Sequence, residues 1–405
     1  VIYFRTPLKT WKFILVLCSL SSILGNMPAI ENARSYKTTI KQGEFWTAKQ
    51  RYGHPIHEIS YRACYKPELP AYFIKRYAKP SQLIYDPFMG RGTTLIEAKL
   101  LGCNVIGNDI NPLSTILTAP RLCEQNVEKI AQRIEQITLP EVEIEDKDLL
   151  VFFEDQTLAE LYGWRSYFKG RQATGIFDEV DAWLQMTACN RLTGHSKGFF
   201  SVYTLPPNQA TTLNAQRKIN TKRRQKPEYR NTKELILKKS KSLLRQKLPN
   251  NYNATTSTLL CRSADATPEI QNESVQLIVT SPPFLDIVNY VGDNWLRNWF
   301  CQCKPEPGKL WQLRKLGEWT DKMRASLKEM SRVLKSNGRI AIEVGEVRKG
   351  KLKLEEQIIL AGKAVGLKVE YTLINNQTFA KTANCWGVRN NTLGTNSNRI
   401  VVFRK

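Results

Sequence analysis

Histidine is scarce in this sequence, and the cysteines lack the spacing of a metal site or of a disulfide framework. The chain of 405 residues contains three histidines and nine cysteines, and no two cysteines stand in a C-x-x-C arrangement. Cys301 and Cys303 are too close together for the usual zinc pair, and an odd, scattered set of cysteines does not suit a secreted disulfide scaffold. These absences argue against a bound metal and predict a reducing, cytoplasmic setting.

A long apolar run is also absent, and the strongest candidate stands near the start of the chain. Lys9 and Lys12 precede the apolar residues 13–18, an arrangement that mimics a short signal peptide. The run is too short, and too soon interrupted by serine, to span a membrane securely. Because the chain lacks a first methionine, we interpret Met27 as the natural start. We therefore expect residues 1–26 to be a non-native leader and expect no membrane partner; a secretory signal is the alternative.

Acidic residues are few relative to basic ones. The chain has 60 Lys and Arg against 37 Asp and Glu, a formal net charge of +23 at pH 7. Such an excess favours a polyanionic partner, although a merely soluble basic protein shares it. A hydrophobic content of 42% and a charged content of 24% are typical of a globular protein. The length allows one large α/β domain with an insertion, or two domains.

The most informative stretch runs from Tyr85 to Thr94 and reads Y-D-P-F-M-G-R-G-T-T. An apolar run precedes it and a helical pattern follows it, so the sequence predicts a strand, a glycine turn and a helix. Gly90 and Gly92 allow the backbone to approach a ligand closely. Asp86 ends the strand at the edge where open α/β sheets bind ligands. The third glycine of the dinucleotide-binding fingerprint is missing, because Leu95 stands there.

A second strand pattern ends in an acid about twenty residues further on, which is the spacing at which a carboxylate meets ribose hydroxyls. The run 104–108 is apolar at its centre, and Asp109 follows it. We therefore predict that Asp109 binds a ribose. A surface Asp that caps the next helix is the alternative.

A second motif, Thr280–Phe284, reads T-S-P-P-F and follows the apolar run 275–279. D-P-F-x-G-x-G-T-T and S-P-P-F together resemble motifs I and IV of the S-adenosylmethionine-dependent DNA amino-methyltransferases. The resemblance covers residues 43–116 and 253–405 by motif order. It implies an α/β fold with a Rossmann-like sheet of seven strands, the last reversed, helices on both faces, and a large inserted recognition region.

The resemblance also implies the cofactor, S-adenosylmethionine, and most of its contacts. Asp265 matches the family's motif III, which hydrogen-bonds the adenine amine, although a turn or cap residue is the alternative. Tyr61, Arg62 and Lys66 match motif X and would lie near the methionine carboxylate, although an ordinary packing helix is equally compatible. The predicted cofactor-binding residues are Asp86, Phe88, Gly90, Gly92, Thr93, Asp109 and Asp265, with no metal ligand.

The predicted catalytic residues are Ser281, Pro282, Pro283 and Phe284. An exocyclic amine is a poor nucleophile because its lone pair is conjugated into the base. Ser281 and a backbone carbonyl of the same tip can accept the two amine hydrogens, and consecutive prolines hold these acceptors in place. Phe284 can stack on a base extruded from the duplex. The alternative is a Pro-Pro that merely ends a strand, followed by a Phe that packs in the core.

Residues 117–252 fall outside the repeating strand–helix pattern and are predicted to be an inserted DNA-recognition region with its own structure. Residues 178–192 read as an amphipathic helix. Asn231–Glu234 is a capping-box start for a second helix whose leucines face inward.

Basic residues dominate the second half of this insertion. Thirteen cations and two acids lie between Arg217 and Lys247. Like charges along a helix repel one another unless a partner neutralises them, which favours a DNA-gripping surface over a solvated face. The predicted DNA-binding residues are Arg191, Arg217, Lys218, Lys222, Arg223, Arg224, Lys238 and Lys241.

These predictions combine into a methyltransferase first half at 27–116, the basic insertion at 117–252 and a second half at 253–405. Serine in S-P-P-F is the version associated with cytosine N4, so we predict a site-specific DNA methyltransferase acting on that amine. Adenine N6 of DNA is the alternative, followed by an RNA methyltransferase or a catalytically inert DNA-binding relative. The absence of a Pro-Cys dipeptide argues against cytosine C5 methylation. The expected partner is duplex DNA. In a restriction–modification system, a companion restriction endonuclease would be a second partner.

Overall fold

The computed structural model describes residues 2–4, 38–46, 53–205, 207–285, 289–306, 308–347, 352–376 and 397–405. Most of the predicted leader therefore lies outside the described residues. The strands are β1 Ile2–Phe4, β2 Ile40–Gly43, β3 Leu83–Asp86, β4 Asn104–Asn108, β5 Ser257–Leu260, β6 Val275–Thr280, β7 Leu334–Val344, β8 Glu346–Val347, β9 Leu352–Lys353, β10 Lys368–Asn376 and β11 Ser397–Arg404. The α-helices are α1 Glu68–Tyr77, α2 Thr93–Leu100, α3 Pro112–Thr118, α4 Val127–Gln136, α5 Asp155–Ala173, α6 Glu179–Cys189, α7 Leu213–Arg223, α8 Thr232–Leu243, α9 Tyr290–Asp293, α10 Trp295–Cys301, α11 Leu316–Val333 and α12 Leu354–Ala364.

The described strands form one large sheet and a small β8–β9 ribbon. The order of the large sheet is β1-β5-β4-β3-β6-β7-β11-β10-β2. Strands β5, β4, β3, β6 and β7 run parallel, whereas β11 is antiparallel to both of its neighbours. The seven strands from β5 to β10 are the predicted sheet with its reversed last strand, so the fold class is confirmed. Two short edge strands, β1 and β2, extend the sheet beyond the prediction.

Alternation along the central strands explains the helices on both faces. Leu277 of β6 and Ala341 of β7 pack with α1 and α2, whereas the next residues, Ile278 and Ile342, pack with α11 and α12. A strand covered on both faces reads as a nearly continuous apolar run, and all six residues of β6 are buried, four of them apolar. The sequence predicts a turn at 335–338 before β7. In the structure β7 already begins at Leu334, which pairs with Val275 across an irregular register.

The region between the two halves is helical and has its own apolar cluster, built from α4, α5, α6 and α8. The sequence predicts an amphipathic helix at 178–192. The structure has a helix there, α6, but the prediction that it is amphipathic is wrong. α6 is buried on nearly every side, because it packs against α3, α4, α8 and α10. The second predicted helix is confirmed. Asn231 accepts a hydrogen bond from the Glu234 N–H, and Leu243 faces inward.

The helical region is not isolated from the second half of the chain. Leu296 and Phe300 of α10 lie in the same apolar cluster, and the rings of Phe300 and Phe168 are 6.3 Å apart. The boundaries at 116 and 252 therefore stay a prediction. Across the described ranges, no helix combines the length and the apolar character that a membrane crossing requires.

Candidate active site

Four parallel strands end side by side at one edge of the sheet. In the order β5, β4, β3 and β6, they are followed by Cys261, Asp109, Pro87 and Ser281. Neighbouring strands lie about 4.8 Å apart, so the four ends span about 14 Å. A cavity opens above them, with about 650 Å³ of empty space that includes its open mouth. Its lining residues are Tyr61, Ala63, Pro87, Phe88, Gly90, Asp109, Ile110, Asn111, Arg262, Ser263, Ala264, Ser281, Pro283, Tyr290, Leu310 and Trp311.

The glycine turn after β3 forms the floor of this cavity. Gly90 has φ +48° and its N–H donates to Asp109 Oδ2 at 2.9 Å. The second carboxylate oxygen accepts from the Asn111 N–H, also at 2.9 Å. Burial raises the pKa of the Asp109 carboxyl above its usual value. Asp109, the residue predicted to bind a ribose, therefore lies on the cavity wall, and two backbone donors fix the orientation of its carboxylate.

Gly92 follows in the same turn and begins α2. Its φ is +78°, a left-handed conformation that favours glycine. A Cβ at this position would overlap the side chain of Thr118. The predicted Thr93 comes next, where it is buried and its hydroxyl accepts from Arg91 Nε at 3.2 Å.

Asp86 ends β3 beneath the cavity and is not part of its lining. One carboxylate oxygen accepts from the Thr280 hydroxyl at 2.6 Å and from the Phe88 N–H at 3.1 Å, and the other accepts from the Tyr65 hydroxyl at 3.0 Å. Burial raises the pKa of Asp86 to about 6, although these hydrogen bonds oppose the shift. Asp86 thus joins the start of the glycine turn to the last residue of β6.

Ser281 follows β6 and faces the cavity. Its hydroxyl donates to Glu343 Oε2 at 2.7 Å, and Asn398 Nδ2 donates to the other oxygen of Glu343 at 3.1 Å. Glu343 is buried, and burial raises the pKa of its carboxyl above the usual range. The sequence analysis missed Glu343. An acid inside the apolar run of β7 was the available signal, because a buried carboxylate needs a partner.

A residue outside the motif stabilises the proline tip, Pro282–Pro283. Trp319 Nε1 donates to the Pro283 carbonyl at 2.8 Å. Pro282 is buried, and Phe284 is half-buried against the apolar cluster that contains Trp319. The tip therefore brings Ser281 and Pro283 to the cavity, whereas the Phe284 ring is not in its lining.

Aromatic side chains from distant parts of the sequence complete the walls. Trp311 contacts Phe88 edge-on, with ring centroids 5.3 Å apart. Tyr61 and Tyr290 also line the cavity, and burial, with the nearby charge of Asp109, raises the pKa of both phenols. The predicted Asp265 lies just outside the lining, which ends at residues 262–264.

An ion pair fastens the segment around Tyr61 to α9. Arg62 Nη1 lies 2.8 and 2.9 Å from the two carboxylate oxygens of Asp293. Ala63, the next residue, has φ +53° and also lines the cavity. In the described residues no group of three or more His, Cys, Asp or Glu side chains is arranged to hold a metal ion.

The predicted DNA-binding residues divide by their contacts. Arg217 pairs with Asp148, Arg223 lies 3.7 Å from the centre of the Tyr203 ring, and the half-buried Arg191 lies over Phe199. The remaining members are exposed on α7, at its end and on α8; they are Lys218, Lys222, Arg224, Lys238 and Lys241. The segment before α7 contacts α9, because the Ala210 N–H donates to the Asp293 carbonyl at 2.9 Å, and the first residue of α9, Tyr290, lines the cavity.

Comparison with known proteins gives one family and several partial relatives. Residues 25–115 match a family whose description is DNA methylase. The type II methyltransferase M.MjaII of Methanocaldococcus jannaschii is 35% identical over 82 residues, which are 20% of this chain and 15% of that protein. M.BsoBI of Geobacillus stearothermophilus is 37% identical over 86 residues, 20% of this chain and 17% of that protein. The chain therefore spans less than a fifth of the length of these relatives.

Among solved structures, a TehB-like SAM-dependent methyltransferase from Corynebacterium glutamicum aligns over 83% of this chain and 86% of its own. The identity is 10% and the TM-score is 0.31.

Gly92 provides a test of the turn that does not depend on the reaction. We expect Gly92→Ala to lower the free energy of unfolding by about 3 kcal/mol, because it adds a clash with Thr118 to the cost of a left-handed alanine. Gly175 is the matched control. Its φ is +73° but its Cβ position is open, so Gly175→Ala should cost about 1 kcal/mol. Urea denaturation measures both. Equal losses would contradict the close packing of the turn on Thr118, and Gly92→Ala with Thr118→Ala should recover part of the difference.

Proposed function

We propose, from the membership of residues 25–115 in the DNA methylase family, that this chain is a site-specific DNA methyltransferase acting on cytosine N4 in duplex DNA. The observation that carries the proposal is the shared cavity: the glycine turn after β3 and Ser281 after β6 face the same space. Adenine N6 is the second candidate, because the same acceptors suit either amine. A cytoplasmic location, where the methyl donor is made, is part of the proposal.

The residues present fit S-adenosylmethionine as the cofactor. The cavity extends across four strand ends, which suits an elongated ligand. Its lining combines a carboxylate, Asp109 after β4, with apolar and aromatic walls that include Ile110 and Trp311, which suits a ribose next to a purine. The open backbone at Gly90 admits close approach on the way to Ser281. When bound, the cofactor supplies the methyl group as part of a sulfonium.

Ser281 is oriented to accept a hydrogen bond from the target amine. Its single hydroxyl proton is donated to Glu343, so the remaining lone pairs of Oγ are free to act as acceptors. Drawing an amine hydrogen towards Oγ favours a pyramidal nitrogen with its lone pair available for transfer. Pro282, Pro283 and the brace from Trp319 keep this acceptor in place before substrate arrives.

Glu343 can also act as the final acceptor of the proton that the amine loses. The nitrogen becomes acidic only after it accepts the methyl group, so no strong base is needed beforehand. Ser281 Oγ can then take the proton while its own proton passes to Glu343 Oε2. The raised pKa of the buried carboxyl favours its protonated form. Asn398 holds the other oxygen.

Duplex DNA is the proposed substrate, and α7 and α8 supply its cationic surface. Lys218 and Lys222 are exposed on α7, and Arg224 is exposed at its C-terminal cap. Contacts of this kind bind phosphates and fix the register of a duplex without reading its sequence. An amine inside the duplex is out of reach of Ser281, so the base must be extruded into the cavity.

Expression in a host that lacks DNA methylation tests the function directly. We expect sequencing to return N4-methylcytosine at one recognition sequence, and no modification when Ser281→Ala is expressed at the same level. N6-methyladenine at one sequence would favour the second candidate. Purified protein that binds DNA but transfers no label from radioactive S-adenosylmethionine would overturn the enzymatic proposal in favour of an inert DNA-binding relative.

The role of Glu343 predicts a kinetic effect that is separate from binding. We expect Glu343→Gln to lower kcat by about 10- to 100-fold, because it removes the proton acceptor behind Ser281. The wild-type rate should fall as the pH falls through the raised pKa of Glu343, and this acid limb should vanish in the variant. Single-turnover rates across pH, with dissociation constants for S-adenosylhomocysteine and DNA, separate the two effects.

Glu370→Gln is the control for that measurement, because Glu370 pairs with Arg339 on β7 without facing the cavity. Its kcat should stay within about twofold of wild type. An unchanged kcat in Glu343→Gln would remove Glu343 from the mechanism.

The cationic surface predicts a change in salt dependence. Replacing Lys218, Lys222 and Arg224 with Gln should reduce the slope of log Kd against log salt by about 2 to 3, since each phosphate contact contributes about 0.9. A charge-matched control replaces exposed lysines outside the helical region, Lys322, Lys328 and Lys368, and should leave the slope unchanged. Fluorescence anisotropy with a duplex at several salt concentrations measures it. The same slope in both triple variants would contradict a DNA-gripping role for α7.

A further inference from the structure

Leu205 is an exposed apolar residue of the helical region. It is 37% exposed among the described residues, and two prolines follow it in the sequence. Solvent exposure of a single leucine needs no explanation by itself. It belongs to a segment whose described residues, 204–205 and 207–210, are held by hydrogen bonds. This distinguishes it from exposed residues such as Ile176 in the turn after α5.

Hydrogen bonds hold both ends of this segment. The Thr204 N–H donates to the Gly194 carbonyl at 3.0 Å, and the Ala210 N–H donates to the Asp293 carbonyl at 2.9 Å. Between them, the guanidinium of Arg297 donates to the Pro207 carbonyl. Arg297 is itself buried, so the segment cannot move far without breaking buried contacts.

The same anchors place the segment at the rim of the cavity. Arg297 also donates to the Ser60 carbonyl at 3.1 Å, next to Tyr61 of the lining. Asp293 closes the short helix α9, whose first residue, Tyr290, also lines the cavity. The cationic helix α7 begins at Leu213, a few residues after the segment.

Extrusion of a base leaves a gap in the stack, and an apolar wedge that fills such a gap offsets the cost of unstacking. We infer that Leu205 enters the duplex at the position from which the target base is extruded. The half-buried amides Asn208 and Gln209 lie on the same segment, where they can reach neighbouring base edges. This inference rests on the proposed function, because it requires a duplex at the rim of the cavity.

A duplex with a ready-made gap tests the inference without any knowledge of the recognition sequence. The probe is a fluorescent duplex of arbitrary sequence with one central tetrahydrofuran abasic site, compared with its fully paired counterpart. We expect the wild-type protein to bind the abasic duplex about tenfold more tightly, because Leu205 fills the gap. Leu205→Ala should lower this preference to less than twofold, whereas Leu205→Met, which keeps an apolar side chain of similar volume, should retain it.

Ile176→Ala is the matched control and should behave as the wild type, and circular dichroism establishes that each variant is folded. Equal binding of the two duplexes by the wild type, or a preference retained by Leu205→Ala, would overturn the inference. The protein could prefer the abasic duplex through Leu205 and yet transfer no methyl group. That result would support the inference and contradict the proposed reaction.

Discussion

The hydrogen bond between the Thr280 hydroxyl and the Asp86 carboxylate, 2.6 Å long, joins the two strand ends on which the site is built. Asp86 also accepts from the Phe88 N–H, so one buried side chain fixes both the start of the glycine turn and the residue before Ser281. Burying a carboxyl group is costly unless hydrogen bonds compensate, and Asp86 receives three of them. A second link, from the Thr94 hydroxyl to the Val279 carbonyl at 3.0 Å, joins the start of α2 to β6. The two hydrogen bonds together hold the glycine turn in place relative to Ser281.

The electrostatics of the cavity follow from its buried acids. Burial raises the pKa of Asp86, Asp109 and Glu343. Asp109 lines the cavity, whereas Asp86 and Glu343 lie just behind its lining, bonded to Thr280 and Ser281. A positively charged ligand in that space would favour their ionised forms. Burial and charge therefore act in opposite directions here, and a sulfonium donor complements the site better than a neutral or anionic ligand would.

The sequence predicted those parts of the fold that depend on local pattern. Apolar runs gave the central strands, and the two motifs gave the turn and the tip that meet at the cavity. Glu343, Asn398 and Trp311 were missed, because they reach the site through the pairing of β7 with β6 and β11 and through a loop without a recognisable pattern. The burial of α6 was missed for a related reason: its neighbours α3, α4, α8 and α10 are distant in sequence, and its own periodicity does not reveal them.

Charge counted along the sequence was less informative than charge placed in the structure. Arg217 and Arg223 stand within the basic run, yet the first pairs with Asp148 and the second lies on the Tyr203 ring, so part of their attraction for phosphate is already used inside the protein. Asp293 and Arg297 connect segments that are far apart in the sequence. They tie the segments at Arg62 and Ser60 to the segment at Pro207. Asp293 of α9 and Arg297 of α10 therefore hold the proposed DNA-probing segment at a fixed position relative to Tyr61 on the cavity wall.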